Sequence, residues 1–212
     1  MLVSAIMPTA GRPQMAAEAV AMWRAQTWPE KELVIVDNRY SPSFRRSVVG
    51  PGIVYQSETS MSIGAKRNLA CGLASGEIIC HWDSDDIYAP DRIEDQVKRL
   101  TETGAEVTGY CPMLFVDERG QRWQYFTPDT SYAPGTSLMY RKSYWRRHPF
   151  GAQMKTGEDL KFIQGARVVA VDGGERCIAR IHSGSLTWLV DTPKTEAHLL
   201  SEAGRRNWRR AQ

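Results

Sequence analysis

The stretch Glu77-Ile-Ile-Cys-His-Trp-Asp-Ser-Asp-Asp86 constrains the fold more than any other, because a short apolar run breaks off abruptly at three carboxylates. A run this short and this apolar reads as a strand buried on both faces, which belongs to a parallel sheet covered by helices. Such a strand delivers Asp83, Asp85 and Asp86 to its carboxyl end, where they repel one another and lose hydration unless a cation compensates. A hard divalent ion with oxygen ligands is the natural candidate, and Asp-x-Asp offers it two carboxylates. Ligands of open α/β sheets sit beyond the carboxyl ends of the strands, where this cluster falls. An EF-hand loop is excluded, since its glycine and closing glutamate are missing at the required offsets. A solvated acidic turn is the bland alternative, so context has to decide.

The context is a strand–helix alternation. Residues 2–7 are an apolar run, Pro8-Thr-Ala-Gly-Arg-Pro13 makes a loop, and Ala16, Val20 and Trp23 form a helical stripe. Leu33-Val-Ile-Val36 is a second apolar strand that stops at Asp37, and a third is expected at Ile53–Gln56. A helix over Ile63–Ala74 presents Ala65, Leu69 and Leu73 on one face, and a helix opened by Pro90 buries Ile93, Val97 and Leu100. The expected class is therefore α/β, with a mostly parallel central sheet in a nucleotide-binding first half, residues 1–104.

After Gly104 the pattern turns to strands: Val107–Val116 and Arg122–Phe126 joined at Asp117-Glu-Arg-Gly120, then Gly135–Tyr140, then a final pair, Val168–Val171 and Cys177–Ile181. Residues 105–192 make a smaller β region of the same domain, which the family resemblance given below implies to be its acceptor side, and 193–212 a basic terminal segment read as a helix from Thr195 to Arg210. Length of 212 residues suits one domain with a sizeable core, and the net charge of +3 is mild. Positive charge concentrates locally, at Arg141-Lys142, Arg146-Arg147-His148 and Arg205 to Arg210. Those clusters are solvated faces or contacts for phosphates and acidic lipid. Cys71, Cys80, Cys111 and Cys177 lack paired spacing, which argues for reduced thiols in a cytoplasmic protein rather than a disulfide or zinc framework. No apolar run reaches the roughly 20 residues of a membrane span.

Four features converge on one edge of this sheet: Thr9 and Arg12 after the first strand, Asp37 after the second, Lys66-Arg67 at a helix start, and the Asp83-Ser84-Asp85-Asp86 cluster. Carboxylates suit a base or ribose, cations suit a diphosphate, and the guanidinium of Arg67 matches phosphate geometry. Lys66-Arg67 also fits an exposed helix face. Trp123, Tyr125, Phe126, Tyr132, Trp145 and Trp188 offer flat faces to sugars or bases, although most are expected in the core.

The succession Ser4-Ala-Ile-Met-Pro-Thr-Ala10, Glu32-Leu-Val-Ile-Val-Asp37, Gly64-Ala-Lys-Arg-Asn68, Ala74-Ser-Gly-Glu77 and Trp82-Asp-Ser-Asp-Asp86 resembles glycosyltransferase family 2, and Gly157-Glu-Asp159 resembles that family's acceptor-side acidic motif. The resemblance covers about residues 1–185. It implies a GT-A fold and inverting sugar transfer from a nucleotide-diphosphate sugar, a UDP-sugar being expected, with Mn²⁺ or Mg²⁺. It implies donor contacts from Thr9, Arg12, Asp37, Lys66, Arg67, Asp83 and Ser84, and metal ligation by Asp83 and Asp85. Asp86 would support that metal site or ligate in its place. His182 is a candidate further ligand, since some GT-A enzymes take a histidine from this part of the chain. Asp159 is the implied general base, with Glu158 beside it. Thr156-Gly-Glu-Asp159 equally matches a helix capping box, and the two roles are compatible. The chain departs from the family at Asp37-Asn38-Arg39-Tyr40, where Asp-Asp-Gly-Ser is usual.

The expected acceptor is a glycan or glycolipid, with single-sugar transfer. The basic terminus, with Trp208 among arginines, also permits a phage-type transferase acting on a hydroxylated DNA base, or peripheral contact with a membrane. A sugar-phosphate nucleotidyltransferase would need a glycine-rich loop after the first strand, and Pro8–Pro13 has one glycine. A non-catalytic binding protein is disfavoured by the intact carboxylates. Neither a P-loop, a GxGxxG fingerprint nor a GxSxG elbow is present.

Overall fold

A computed structural model describes residues 1–154, 157–183 and 208–211. In chain order its first half runs β1 (Val3–Thr9), α1 (Pro13–Arg24), β2 (Lys31–Asp37), α2 (Pro42–Val48), β3 (Ile53–Ser57), α3 (Ile63–Leu73), β4 (Ile78–His81), β5 (Ile87–Tyr88) and α4 (Arg92–Glu102). The second half runs β6 (Val107–Tyr110), β7 (Met113–Asp117), β8 (Arg122–Tyr125), a 3₁₀ turn at Gly135–Ser137, β9 (Met139–Arg141), α5 (Lys142–Arg147), α6 (Glu158–Ile163), β10 (Val168–Val171), β11 (Cys177–Ile181) and β12 (Trp208–Arg210).

The central sheet has the order β10-β6-β9-β4-β1-β2-β3. The pairs β4–β1, β1–β2, β2–β3 and β10–β6 are parallel, and β9 runs antiparallel to both its neighbours. Alternation along β1 explains its continuous burial. Val3, Ala5 and Met7 join the layer that holds Val20 and Trp23 of α1 and Ile93 and Leu100 of α4. Ile6 joins the opposite layer, with Ala70 and Cys71 of α3 and Phe150 and Phe162. The sheet is thus covered on both faces, as near-continuous apolar strands require.

A smaller sheet, β12-β8-β7-β11-β5, lies beyond the acidic end of β4. It changes three sequence expectations. Val107–Val116 is not one strand, because β6 ends at Tyr110 and β7 starts at Met113 in a different sheet. Val168–Val171 and Cys177–Ile181 do not pair, since β10 joins β6 while β11 joins β5 and β7. Trp208–Arg210, expected at the end of a terminal helix, is instead a strand that pairs antiparallel with β8, and residues 195–207 of that expected helix lie outside the described residues. The β7–β8 hairpin does turn at Asp117–Gly120, as the sequence predicts. The stretch Gly135–Tyr140 is a 3₁₀ turn before the strand starts at Met139.

Helix α2 is absent from the sequence reading, although Ser41 before Pro42 is a sound start: Ser41 Oγ accepts from Phe44 N at 3.3 Å. Helix α3 forms where expected but turns a different face inward. It buries Gly64, Lys66, Arg67, Ala70 and Cys71, while Leu73 is exposed. Two charged side chains displace an apolar stripe from the interior, and their burial is explained by what they meet. No helix among the described residues is long and apolar enough to cross a membrane.

Candidate active site

The acidic turn 83–86 links β4 of the large sheet to β5 of the small one, so it lies on the seam between them. Three segments meet at Asp85. Arg12, from the loop after β1, pairs with Asp85 Oδ2, and His182, just past β11, places Nε2 2.9 Å from the same oxygen. Burial pushes the Asp85 carboxyl upward, but the His182 hydrogen bond and the Arg12 charge outweigh it and hold it below the ordinary range.

Asp83 faces another way. Its Oδ1 lies 3.5 Å from Nη2 of Arg67, and the other Arg67 amino group pairs with Glu158. Arg67 is only 4% exposed, and the charges of Asp83, Glu158 and Asp159 overcome its desolvation. Burial raises the Asp83 and Glu158 carboxyls, with Arg67 opposing in each case. One buried cation therefore spans from the acidic turn to the start of α6. Glu158 is occupied by Arg67, while Asp159 is half-buried beside it, its Oδ1 accepting from Leu160 N at 2.9 Å.

Asp86 turns inward. It is bonded by the Thr136 hydroxyl and by Arg180 N at 3.0 Å, and desolvation beside Asp85 and Asp83 raises its pKa far above normal. Its bonds tie the turn to the small sheet. Ser84 is fully buried, and its Oγ has no hydrogen-bond partner among the described residues, nor has Oγ1 of Thr9.

A cleft of about 180 Å³, partly open to solvent, is lined by Thr9, Gly11, Arg12, Pro13, Asp37, Arg39, Tyr40, Ser41 and Phe44. Asp37 is its floor. Its Oδ2 accepts from Tyr55 Oη at 2.7 Å and its Oδ1 from Arg39 N at 2.8 Å, which leaves lone pairs on both oxygens for a ligand. The register Thr9–Asp37–Ser57 aligns the three strand ends that form this rim. Lys66 Nζ donates to Thr9 O at 3.2 Å, and burial together with Arg12 lowers its pKa to about 8.

The expected donor residues Thr9, Arg12, Asp37, Lys66, Arg67, Asp83 and Ser84 are thus on one rim, with Thr9 and Ser84 offering buried side chains. Of the expected metal set, Asp85 and His182 touch, while Asp83 is turned to Arg67. Among the described residues no group of three or more His, Cys, Asp or Glu side chains is gathered as a metal cluster. The donors nevertheless fit a divalent cation. Carboxylate oxygen and imidazole nitrogen suit Mn²⁺, and Asp83 Oδ1 is buried without a hydrogen bond, although Arg67 lies close.

Several site residues carried no signal in the sequence. Gly135 and Thr136 were expected to begin a strand and instead form a 3₁₀ turn, and His81 is a lone histidine. Tyr55 was legible in principle, since it shares a strand face with Ile53 and points where Asp37 ends the neighbouring strand. Most of the aromatic set was expected in the core, but among its described members only Trp123 is fully buried; Tyr125, Phe126, Tyr132 and Trp145 are half-buried, and Trp145 donates to Asn68 Oδ1 at 2.9 Å. Thr156 and Trp188 lie outside the described residues. The N-cap of α6 is Gly157, at φ +71° and with no side-chain cap bond. Of the basic tail, only Arg209 and Arg210 are described, lying over Phe126 and Trp123.

A parallel-centred α/β sheet with acids and bases massed at its carboxyl rim has the architecture of a GT-A sandwich. The family model of Glycosyl transferase family 2 matches residues 4–163, and the chain belongs to that family. An uncharacterised glycosyltransferase of Rickettsia typhi is 25% identical over 135 residues, 62% of this chain and 42% of the relative. Another, of Methanocaldococcus jannaschii, is 25% identical over 156 residues, 70% of this chain and 54% of the relative. The chain therefore spans about half the length of these curated relatives. In structure it is similar to S. aureus TarS 1–349 in complex with UDP-GlcNAc, with a TM-score of 0.70, 21% identity and coverage of 90% of this chain and 62% of that one. It is also similar to the mannosyltransferase PcManGT from Pyrobaculum calidifontis in complex with GDP-Man and Mn²⁺, with a TM-score of 0.68, 17% identity and coverage of 88% and 59%. These likenesses establish the GT-A fold.

Proposed function

We propose that the chain transfers one sugar from a nucleotide-diphosphate sugar, a UDP-sugar being the expected donor, to a hydroxyl of a glycan or glycolipid with inversion. The observation that supports this most is Arg67, buried between Asp83 and Glu158 and next to Asp159, which joins a donor-side acid to an acceptor-side acid through one cation.

Asp37 receives the nucleoside in the cleft, and Arg12 and Lys66 stand beside it for the diphosphate. Asp85 and His182, joined by Asp83, would hold Mn²⁺ or Mg²⁺, which supplies Lewis-acid neutralisation of charge on the departing diphosphate. Asp159 accepts the proton of the acceptor hydroxyl as its oxygen bonds to the anomeric carbon from the face opposite the diphosphate. The bond between that carbon and the diphosphate oxygen breaks, and its electron pair leaves with the nucleoside diphosphate. Glu158 holds Arg67 rather than sharing the proton transfer.

Thermal unfolding with UDP, GDP and their sugars, with and without Mn²⁺, tests the donor reading. One base is expected to raise the midpoint, and to do so more with the metal, because a ligand of the native state stabilises it by mass action. Absence of a shift with every nucleotide at millimolar concentration would falsify the donor assignment. Retained transfer by Asp159→Asn would remove the base.

A further inference from the structure

The 3₁₀ turn Gly135-Thr136-Ser137 touches two acids of the site, Asp86 and Asp159, although it lies far from either in sequence. Gly135 lies under the Asp159 side chain. A methyl group at position 135 would come within 2.9 Å of Asp159 Cβ and 3.0 Å of its Cγ, and closer still to Oδ2. Such approaches are not tolerated by van der Waals contact, so the carboxylate rests where it does because residue 135 has no side chain. Its φ is not positive, so alanine there meets no backbone penalty, and the nearest atoms it would meet are those of Asp159.

The turn itself is held from below. The Gly135 carbonyl only accepts, so His81 Nδ1, at 2.5 Å, carries the proton. Its Nε2 then accepts from Tyr140 Oη at 3.2 Å. Arg92 Nη2 donates to Thr136 O at 2.9 Å and Gln96 Nε2 to Ser137 O at 2.7 Å. Thr136 Oγ1 meanwhile bonds Asp86 in the acidic turn. A rigid three-residue element thus bonds the metal-side turn with its middle residue and carries Asp159 on its first.

We propose that Gly135 is a positioning residue, the seat that sets the Asp159 carboxylate against the donor, anchored through its carbonyl by His81. This rests on the reading of Asp159 as the base. A base displaced by about 1 Å loses on the order of 10²-fold in rate.

The experiment measures Mn²⁺-dependent release of nucleoside diphosphate from UDP-glucose, UDP-GlcNAc and GDP-mannose, with water as acceptor. Gly135→Ala is expected to lower kcat by roughly 100-fold with the donor KM within about threefold of wild type. In an Asp159→Asn background the alanine is expected to change the residual rate no further. A Gly135→Ala enzyme with near wild-type kcat, or one whose loss is the same in the Asp159→Asn background, overturns the seat. Wild-type turnover by Asp159→Asn alone overturns the base instead, which separates the two failures. If Gly135→Ala does not bind donor, Asp159→Glu makes the test on a half-exposed position, because a carboxylate one methylene longer cannot lie over Gly135. It is expected to lose at least about tenfold in kcat, and wild-type kcat would overturn the seat as well.

Discussion

Replacing Arg67 by methionine removes a cation of similar length while leaving its carboxylate partners in place. In the native protein Asp83 and Glu158 both face this guanidinium, which is 4% exposed, and both already have carboxyls raised by burial. Removing one partner of a buried ion pair costs about 3–5 kcal/mol, because the remaining charge is left desolvated. For a chain of this size that corresponds to a fall of roughly 6–20 °C in Tm. The sign of the pH dependence follows from linkage. A carboxyl whose native pKa lies above its unfolded value binds protons in the native state that the unfolded state has lost, so it stabilises at low pH and that contribution fades as pH rises through the native pKa. Without Arg67 both carboxyls shift further upward, so the deficit is expected to grow from pH 5 to pH 8. Denaturant unfolding at several pH values measures it, and adding Glu158→Gln should recover part of the loss by removing one stranded charge. A deficit below about 1 kcal/mol, the scale of an exposed pair, would refute the reasoning. So would a deficit that does not shrink on acidification.

Arg12 now supplies the positive charge at Asp85, so it competes with a divalent ion for that carboxylate. Arg12→Gln is expected to tighten Mn²⁺ binding by roughly tenfold in the absence of nucleotide, the value of about one charge-assisted hydrogen bond, and titration calorimetry with the metal alone reads it. Unchanged or weaker metal binding would count against Asp85 as a ligand. Tyr55→Phe deletes the 2.7 Å bond to Asp37 and is expected to weaken nucleotide binding by about tenfold with Tm little changed. Equal affinity for every nucleotide would show that Asp37 does not need this support.

Much of the molecule was legible in the chain. The apolar runs that end at Asp37 and Asp83 placed both carboxylates at the edge where the structure has them, and the stripes Ala16–Val20–Trp23 and Ile93–Val97–Leu100 are buried as their spacing demands. Helix α3 shows where local pattern misleads. Its apolar spacing points to Leu73, yet the buried face carries Lys66 and Arg67, since carboxylates and carbonyls from other segments are waiting for them. The same limit applies to Val107–Val116, a continuous apolar stretch by composition that the chain divides between two sheets.

What the sequence determined by itself was most of the strand–helix alternation of the first half and the sheet edge at which chemistry collects, because the periods of strand and helix are properties of neighbouring residues. Which charges meet was decided only by the closed structure. Arg12 reaches Asp85 across 73 positions and Arg67 reaches Glu158 across 91. The seat of Asp159 depends on a missing side chain at Gly135, held by a histidine at the end of β4. Contacts of that kind leave no periodic trace, since their energy depends on burial and distance in the folded molecule rather than on adjacency along the chain.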